Sequence, residues 1–107
     1  MREITCEELR KSLSQYELVD VRTPEEYVGE LGHIEKARLV TLGPDLVDYL
    51  KNIPKDTRIA FICRSGARSG QSTLLSEEMG FTESFNLVGG MIRWNELQYE
   101  VQRGVSL

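Results

Sequence analysis

The fold class this sequence predicts is α/β with a parallel sheet, and three observations predict it. Strand-like and helix-like segments alternate along the chain, the pattern of βαβ units. The segment Arg58-Ile59-Ala60-Phe61-Ile62-Cys63 is apolar without alternation, as a central parallel strand covered on both faces must be. A length of 107 residues with 40% apolar composition suits one domain, residues 1–107, with one core; two half-length domains would each be too small to stand without staples.

In order, Thr5 and Glu8 make a capping box with an Ile4/Leu9 staple, which starts a helix running from Cys6 to about Ser14. Glu17 to Val21 reads as a short strand. Thr23-Pro24-Glu25-Glu26 repeats the capping box with proline at the first helical position, where its missing N–H does no harm, and this helix ends near Gly29. Ala37 to Leu42 is β-branched and apolar enough for a strand. Pro44 opens a helix with Leu46, Leu50 and Ile53 on one face, and Pro54-Lys55-Asp56 makes the turn into the central strand. Beyond it, Ala67, Gly70, Leu74, Leu75 and Met79 form a helical apolar stripe that Gly80 and Phe81 terminate as a C′ glycine with its following hydrophobic contact. Ser84 to Val88 is a further strand, and Met91, Trp94 and Leu97 mark a last helix.

Composition narrows the chemistry. With two cysteines and one histidine, neither a disulfide framework nor a zinc site of the usual ligand count can be assembled. The N-terminal residues lack an apolar signal core, and the longest unbroken apolar run, Ile59 to Cys63, is far too short to span a bilayer, so a cytoplasmic protein is expected. A net charge of −4 argues against nucleic acid, which is bound through a basic face. Small molecules and protein partners remain.

Reactive character concentrates in Cys63-Arg64-Ser65-Gly66-Ala67-Arg68-Ser69, between the central strand and its following helix. Ligands of open α/β sheets bind outside the carboxyl ends of the strands. A cysteine there faces the N–H groups of a turn and a helix N-terminus, with Arg64 and Arg68 adding formal charge, and each of these favours the thiolate. The same cradle suits an anionic persulfide or an oxyanion. Simple burial is the common fate of a free cysteine, but packing does not explain two arginines and Gly66 in one short loop. Cys6, at the start of an amphipathic helix without cationic neighbours in sequence, reads as structural.

Four ordered segments resemble the single-domain rhodaneses: Leu18-Val19-Asp20-Val21-Arg22-Thr23-Pro24-Glu25-Glu26-Tyr27, Gly32-His33-Ile34, the loop Cys63 to Ser69, and Asn86-Leu87-Val88-Gly89-Gly90-Met91-Ile92-Arg93-Trp94. The resemblance implies a three-layer α/β/α domain with a five-stranded parallel sheet, no cofactor and no metal. It implies a sulfurtransferase in which Cys63 takes sulfane sulfur from a small anionic donor such as thiosulfate and passes it, through a persulfide, to a thiol, cyanide or protein acceptor. Carried onto this chain, Arg64, Ser65, Gly66, Ala67 and Arg68 form the substrate cradle, and Arg68 meets the donor's sulfonate. Two readings stand beside it, a non-enzymatic persulfide carrier and a cysteine phosphatase or arsenate reductase of related fold. The phosphatases have one residue more between cysteine and arginine than the four found here.

The chain departs from the family pattern at Glu30-Leu31, an insertion, and at Glu35-Lys36-Ala37, where Pro-Gly-Ala is more usual, so the loop around His33 is expected to differ in shape. His33 itself reads as a structural, hydrogen-bonded residue, because a pre-ionised thiolate needs no general base. Asp20 and Arg22 read as an ion pair holding loops, Gly89-Gly90 as a turn where side chains would clash, and Trp94 as core. The paired glutamates Glu7-Glu8, Glu25-Glu26 and Glu77-Glu78 read as caps and solvated faces.

Overall fold

A computed structural model describes residues 1–104 of the chain. Both capping boxes form: Thr5 accepts from the N–H of Glu8 and Thr23 from that of Glu26, and each glutamate reaches back to its cap residue. They start α1 (Cys6–Lys11) and α2 (Pro24–Tyr27). The first helix is shorter than its pattern predicts, because the Ser12 hydroxyl donates to Glu8 O and the chain tightens into a 3-10 turn over Leu13–Gln15.

The strands are β1 (Arg2–Ile4), β2 (Glu17–Asp20), β3 (Arg38–Leu39), β4 (Ile59–Ile62) and β5 (Ser84–Leu87), all parallel in the order β1-β5-β4-β2-β3. The continuous apolar segment is thus the middle strand, and all four residues of β4 are buried. The edges are where the sequence misleads. β1 is too short and too exposed to show a period, and its partner is at the far end of the chain, Ile4 opposite Leu87. β3 shrinks to two residues, although Val40 and Leu42 still donate to Asp20 O and Val21 O.

Cores fill both faces of the sheet. On one side Ala60 and Ile62 pack with Cys6 and Leu9 of α1 and with Met91 and Trp94 of α5 (Gly90–Glu96). On the other, Ile59, Phe61 and Cys63 pack with Leu46 and Leu50 of α3 (Pro44–Lys51) and with Leu75 at the end of α4 (Ala67–Glu78). This is a three-layer α/β/α arrangement.

The expected apolar stripe on α4 holds in part: Gly70 is buried and Leu75 and Met79 pack against the core, but Ala67 and Leu74 are exposed. Leu74 is 49% exposed, and the face against the sheet is Ser69, Gly70, Ser72, Thr73 and Ser76. Their hydroxyls are satisfied locally, Ser72 on Arg68 O and Thr73 on Ser69 O, so a row of small polar residues is buried without orphaned groups and lets the helix lie close to β4 and β5. The helix ends as expected: Gly80 has a φ of 101°, its N–H donates to Glu77 O and that of Phe81 to Ser76 O, a Schellman closure. Among the described residues no helix is long and apolar enough to cross a membrane.

Candidate active site

Cys63 follows β4 directly, and two features of the next elements fix its surroundings. The first N–H groups of α5, on Met91 and Ile92, donate to Cys63 O and Arg64 O at 2.9 and 3.0 Å. That close approach requires Gly90, since a Cβ there would stand 2.4 Å from Cys63 O. The second is Gly66, which caps α4 in the left-handed region with a φ of 108°. With the two carbonyls held toward α5, the loop turns its N–H groups toward sulfur, and that of Gly66 donates to Cys63 Sγ at 3.1 Å.

Cys63 is only 1% exposed. Burial pushes its thiol up, but the Ser69 hydroxyl at 3.2 Å and the N–H groups of Ser69, Gly66 and Ser65 outweigh it, and the thiol ionises below its ordinary value. The pull comes from hydrogen bonds to sulfur. A sulfur so placed is a nucleophile whose negative charge, or that of a sulfur added to it, meets donors already in position.

The arginines behave differently from the expectation. Arg64 projects from the loop, exposed, without a carboxylate partner among the described residues. Arg68 does not stand free to meet an anion: it donates through both terminal nitrogens to Glu26 on α2, at 2.7 and 2.8 Å. The same pair corrects the assignment of Glu26 as a solvated cap. Its carboxyl is lowered to about 2, chiefly by the Arg68 hydrogen bonds, while it still closes the α2 capping box. Ser65 and Ala67 are exposed on the loop surface.

Asp20 and Arg22, at the end of β2, form a buried ion pair at 2.7 Å, and Arg22 also donates to Gly32 O. This holds the loop that leads to His33. Its other side is clipped by the chain's end: His33 and Gln102 exchange backbone hydrogen bonds, the N–H of Gly104 donates to Val28 O, and Arg103 Nε donates to Glu30 O. His33 stacks on Tyr27 with ring centres 3.6 Å apart and places Nδ1 2.7 Å from Tyr27 O, a structural position. Lys36 takes a left-handed φ of 70°.

Arg22, Glu26, Glu30, Leu31 and Arg64 line a cavity of about 240 Å³ beside the loop. Around it the carboxylates of Asp20, Glu26 and Glu30 balance the guanidiniums of Arg22, Arg64 and Arg68. The site therefore offers an anion oriented N–H groups and one unpaired arginine rather than a strongly positive field.

Two buried residues that sequence reasoning did not assign to the site support it. The Ser69 hydroxyl bonds Asn86 Oδ1 at 2.5 Å, and Asn86 Nδ2 donates to Gly66 O at 3.2 Å. Ser69 and Asn86 both fall within the quoted segments, but nothing local in the sequence connects them. Cys6 is elsewhere, in the core on the opposite face of the sheet from Cys63. Burial first, then Glu7, pushes its thiol up to about 11, against a smaller opposing pull from Arg93.

Comparison with known proteins places this geometry. The profile described as "Rhodanese-like domain" matches residues 5–97. A protein named "Sulfurtransferase" from Allochromatium vinosum is 38% identical, covering 88% of each chain. The "Putative sulfurtransferase YtwF" of Bacillus subtilis is 36% identical over 88% of this chain and 90% of its own. A crystal structure of a rhodanese-like domain protein from Staphylococcus aureus superposes with a TM-score of 0.79 at 30% identity, covering 95% of this chain and 99% of the other.

Proposed function

The chain belongs to the rhodanese-like domain family, and from that premise we propose that it is a sulfurtransferase whose sulfur carrier is Cys63. The Cys63 thiolate attacks the outer sulfur of a donor such as thiosulfate; the new Sγ–S bond forms as the old S–S bond breaks, and sulfite leaves with the bonding electron pair. The persulfide anion sits where Sγ directed its own charge, toward the N–H groups of Ser65, Gly66 and Ser69. An acceptor thiolate or cyanide then attacks the terminal sulfur, and Cys63 leaves again as thiolate, a covalent two-step transfer.

The observation that carries this reading is the set of donors converging on Cys63 Sγ, with the Gly66 N–H at 3.1 Å. Hydrogen bonds to sulfur hold its pKa below the ordinary value and so favour the thiolate that the first step uses, which agrees with His33 being engaged by Tyr27. Donor anions are held by the loop N–H groups and Arg64, with Gly66 giving the loop its left-handed turn into α4. Arg68 acts through Glu26, as an anchor between the loop and α2.

The test is a thiosulfate and cyanide turnover assay combined with intact mass measurement. Incubation with thiosulfate should add one sulfur atom to the protein, a reducing thiol should remove it, and thiocyanate should accumulate with a ping-pong pattern. If the protein acquires sulfur from a low-molecular-weight persulfide but never from thiosulfate, the transfer chemistry stands and the donor assignment falls. If no donor yields an adduct on Cys63, the sulfur-carrier reading itself is wrong.

A further inference from the structure

The Ser69 hydroxyl carries one hydrogen and has two acceptors beside it. Asn86 Oδ1 lies 2.5 Å away and Cys63 Sγ 3.2 Å away. The orientation of the Asn86 amide is not free, because its Nδ2 donates to Gly66 O, which leaves the oxygen, an acceptor only, facing Ser69. With the cysteine protonated, the only assignment that satisfies every group runs in one direction: Sγ–H donates to Ser69 Oγ, and Ser69 Oγ–H donates to Asn86 Oδ1. Once Sγ loses its proton that arrangement sets a hydroxyl lone pair against a thiolate. The hydroxyl must turn about its C–O bond to donate to sulfur, and the Asn86 oxygen loses its partner. Cys63, Ser69 and Asn86 are all buried, so water does not make good the loss.

We infer that Asn86 is a positioning residue for the transfer reaction, which holds the Ser69 hydrogen away from Cys63 and thereby sets how readily the sulfur becomes and stays anionic. It works through Ser69 and never touches the reacting sulfur. The inference rests on the reading that Cys63 reacts as a thiolate, and it deepens that reading by naming what the thiolate competes with. The bond to an anion is the stronger of the two alternatives, so the turn occurs on ionisation, against the hold of Asn86. A persulfide, with its charge on the terminal sulfur beyond Sγ, relieves Ser69 of the choice and lets the hydrogen return to Asn86. The relay thus favours the sulfur-loaded enzyme over the bare thiolate.

The other charged groups around the site are Asp20 and Arg22 at the end of β2, Glu26 on α2, Glu30 on the following loop, Arg64 on the active loop, Arg68 on α4, and Arg93 with Glu7 on the α5 and α1 side. None is altered by substituting Asn86 or Ser69, so a change in the Cys63 titration reports the hydrogen bonds.

The experiment is a titration of the Cys63 thiolate by its ultraviolet absorbance, as the difference from Cys63→Ser, in the wild type, Asn86→Leu, Ser69→Ala and the double variant. Asn86→Leu, which removes the competing acceptor, should lower the Cys63 pKa by about half a unit to one unit, up to a tenfold gain in thiolate fraction below the midpoint. That gain should vanish when Ser69 is also alanine. An unchanged or raised pKa in Asn86→Leu, or a drop that persists in the double variant, overturns the inference. A second measurement uses the wild type and does not depend on that variant folding. The Asn86 side-chain carbonyl carbon, followed by NMR, should shift with the midpoint of Cys63 and stay still in Ser69→Ala; a carbonyl signal unmoved through the wild-type titration refutes the relay. Loss of turnover in Cys63→Ser, by contrast, tests the sulfur-transfer reading alone.

Discussion

Glu26→Gln should make the protein a better binder of thiosulfate. In the native structure Arg68 is 36% and Glu26 28% exposed, and their fork-on-fork pair at 2.7 and 2.8 Å occupies the guanidinium that would otherwise complement a sulfonate. Glutamine keeps the Thr23 capping box, which accepts either residue at this position, but removes the charge that fixes Arg68. A hydrogen bond to a charged group is worth about 1.5–3 kcal/mol, and partial exposure brings this to about 1 kcal/mol. The thiosulfate KM should therefore fall about fivefold, with kcat little changed because the substitution leaves the hydrogen-bond donors to Cys63 Sγ in place. Acid does not substitute for the mutation: with the Glu26 carboxyl lowered to about 2 from an ordinary 4.5, the pair is fully formed above the ordinary value and is lost only as pH falls toward 2. Steady-state kinetics at neutral pH, with Glu26→Gln, Arg68→Ala and the double variant, decide the matter. An unchanged or raised KM in Glu26→Gln, or the same fall in the absence of Arg68, refutes the argument that Glu26 withholds this arginine from anions.

Cys63→Ser should eliminate sulfur transfer with the fold retained, whereas Cys6→Ser should keep near-normal turnover because Cys6 lies across the sheet with its thiol near 11; circular dichroism and the thiocyanate assay check both. Asp20→Ala strands the Arg22 guanidinium in the interior and should cost about 3–5 kcal/mol, read as a shifted denaturant midpoint; a change below about 1 kcal/mol means that Gly32 O and water compensate. Lys36→Gly relieves a left-handed backbone at a position exposed to solvent and should stabilise the protein by about 1 kcal/mol, read as a raised melting temperature; an unchanged or lowered one refutes the strain assigned to Lys36.

What the sequence disclosed about the fold was whatever repeats at short range. The continuous run of β4, the capping boxes of α1 and α2 and the Gly80 closure of α4 are each written in a few consecutive residues, and each is found in place. The edge strand β1 is not, because three residues have no period and their meaning comes from Phe85, Asn86 and Leu87 at the other end of the chain. The α4 stripe misled for a different reason. Apolar spacing named Leu74 alongside Gly70, Leu75 and Met79, yet Leu74 is exposed and much of the face that packs is serine and threonine, with Ser72 and Thr73 bonding back to the helix, so burial there follows side-chain size as much as hydropathy.

The same division runs through the site. The loop from Cys63 to Ser69 is contiguous, so its N–H cradle could be inferred from a strand, a glycine and a helix start in succession. Charge could not be handled that way. Two arginines in a loop look like an anion trap until a carboxylate 42 residues upstream takes one of them. Likewise Ser69 only closes the loop in sequence, and it is the fold that sets its hydroxyl between Cys63 Sγ at 3.2 Å and Asn86 Oδ1, 17 residues downstream, at 2.5 Å. In both cases the sequence names a group and the fold decides what that group is already doing, which sets what remains for a substrate. At Cys63 what remains is chiefly backbone: N–H groups of Ser65, Gly66 and Ser69 that no substitution other than proline removes. Single alanine variants around the loop should for that reason tune the donor and the charge of the sulfur far more than they abolish its chemistry, and only Cys63 and the glycines that let the backbone turn toward it are without substitute.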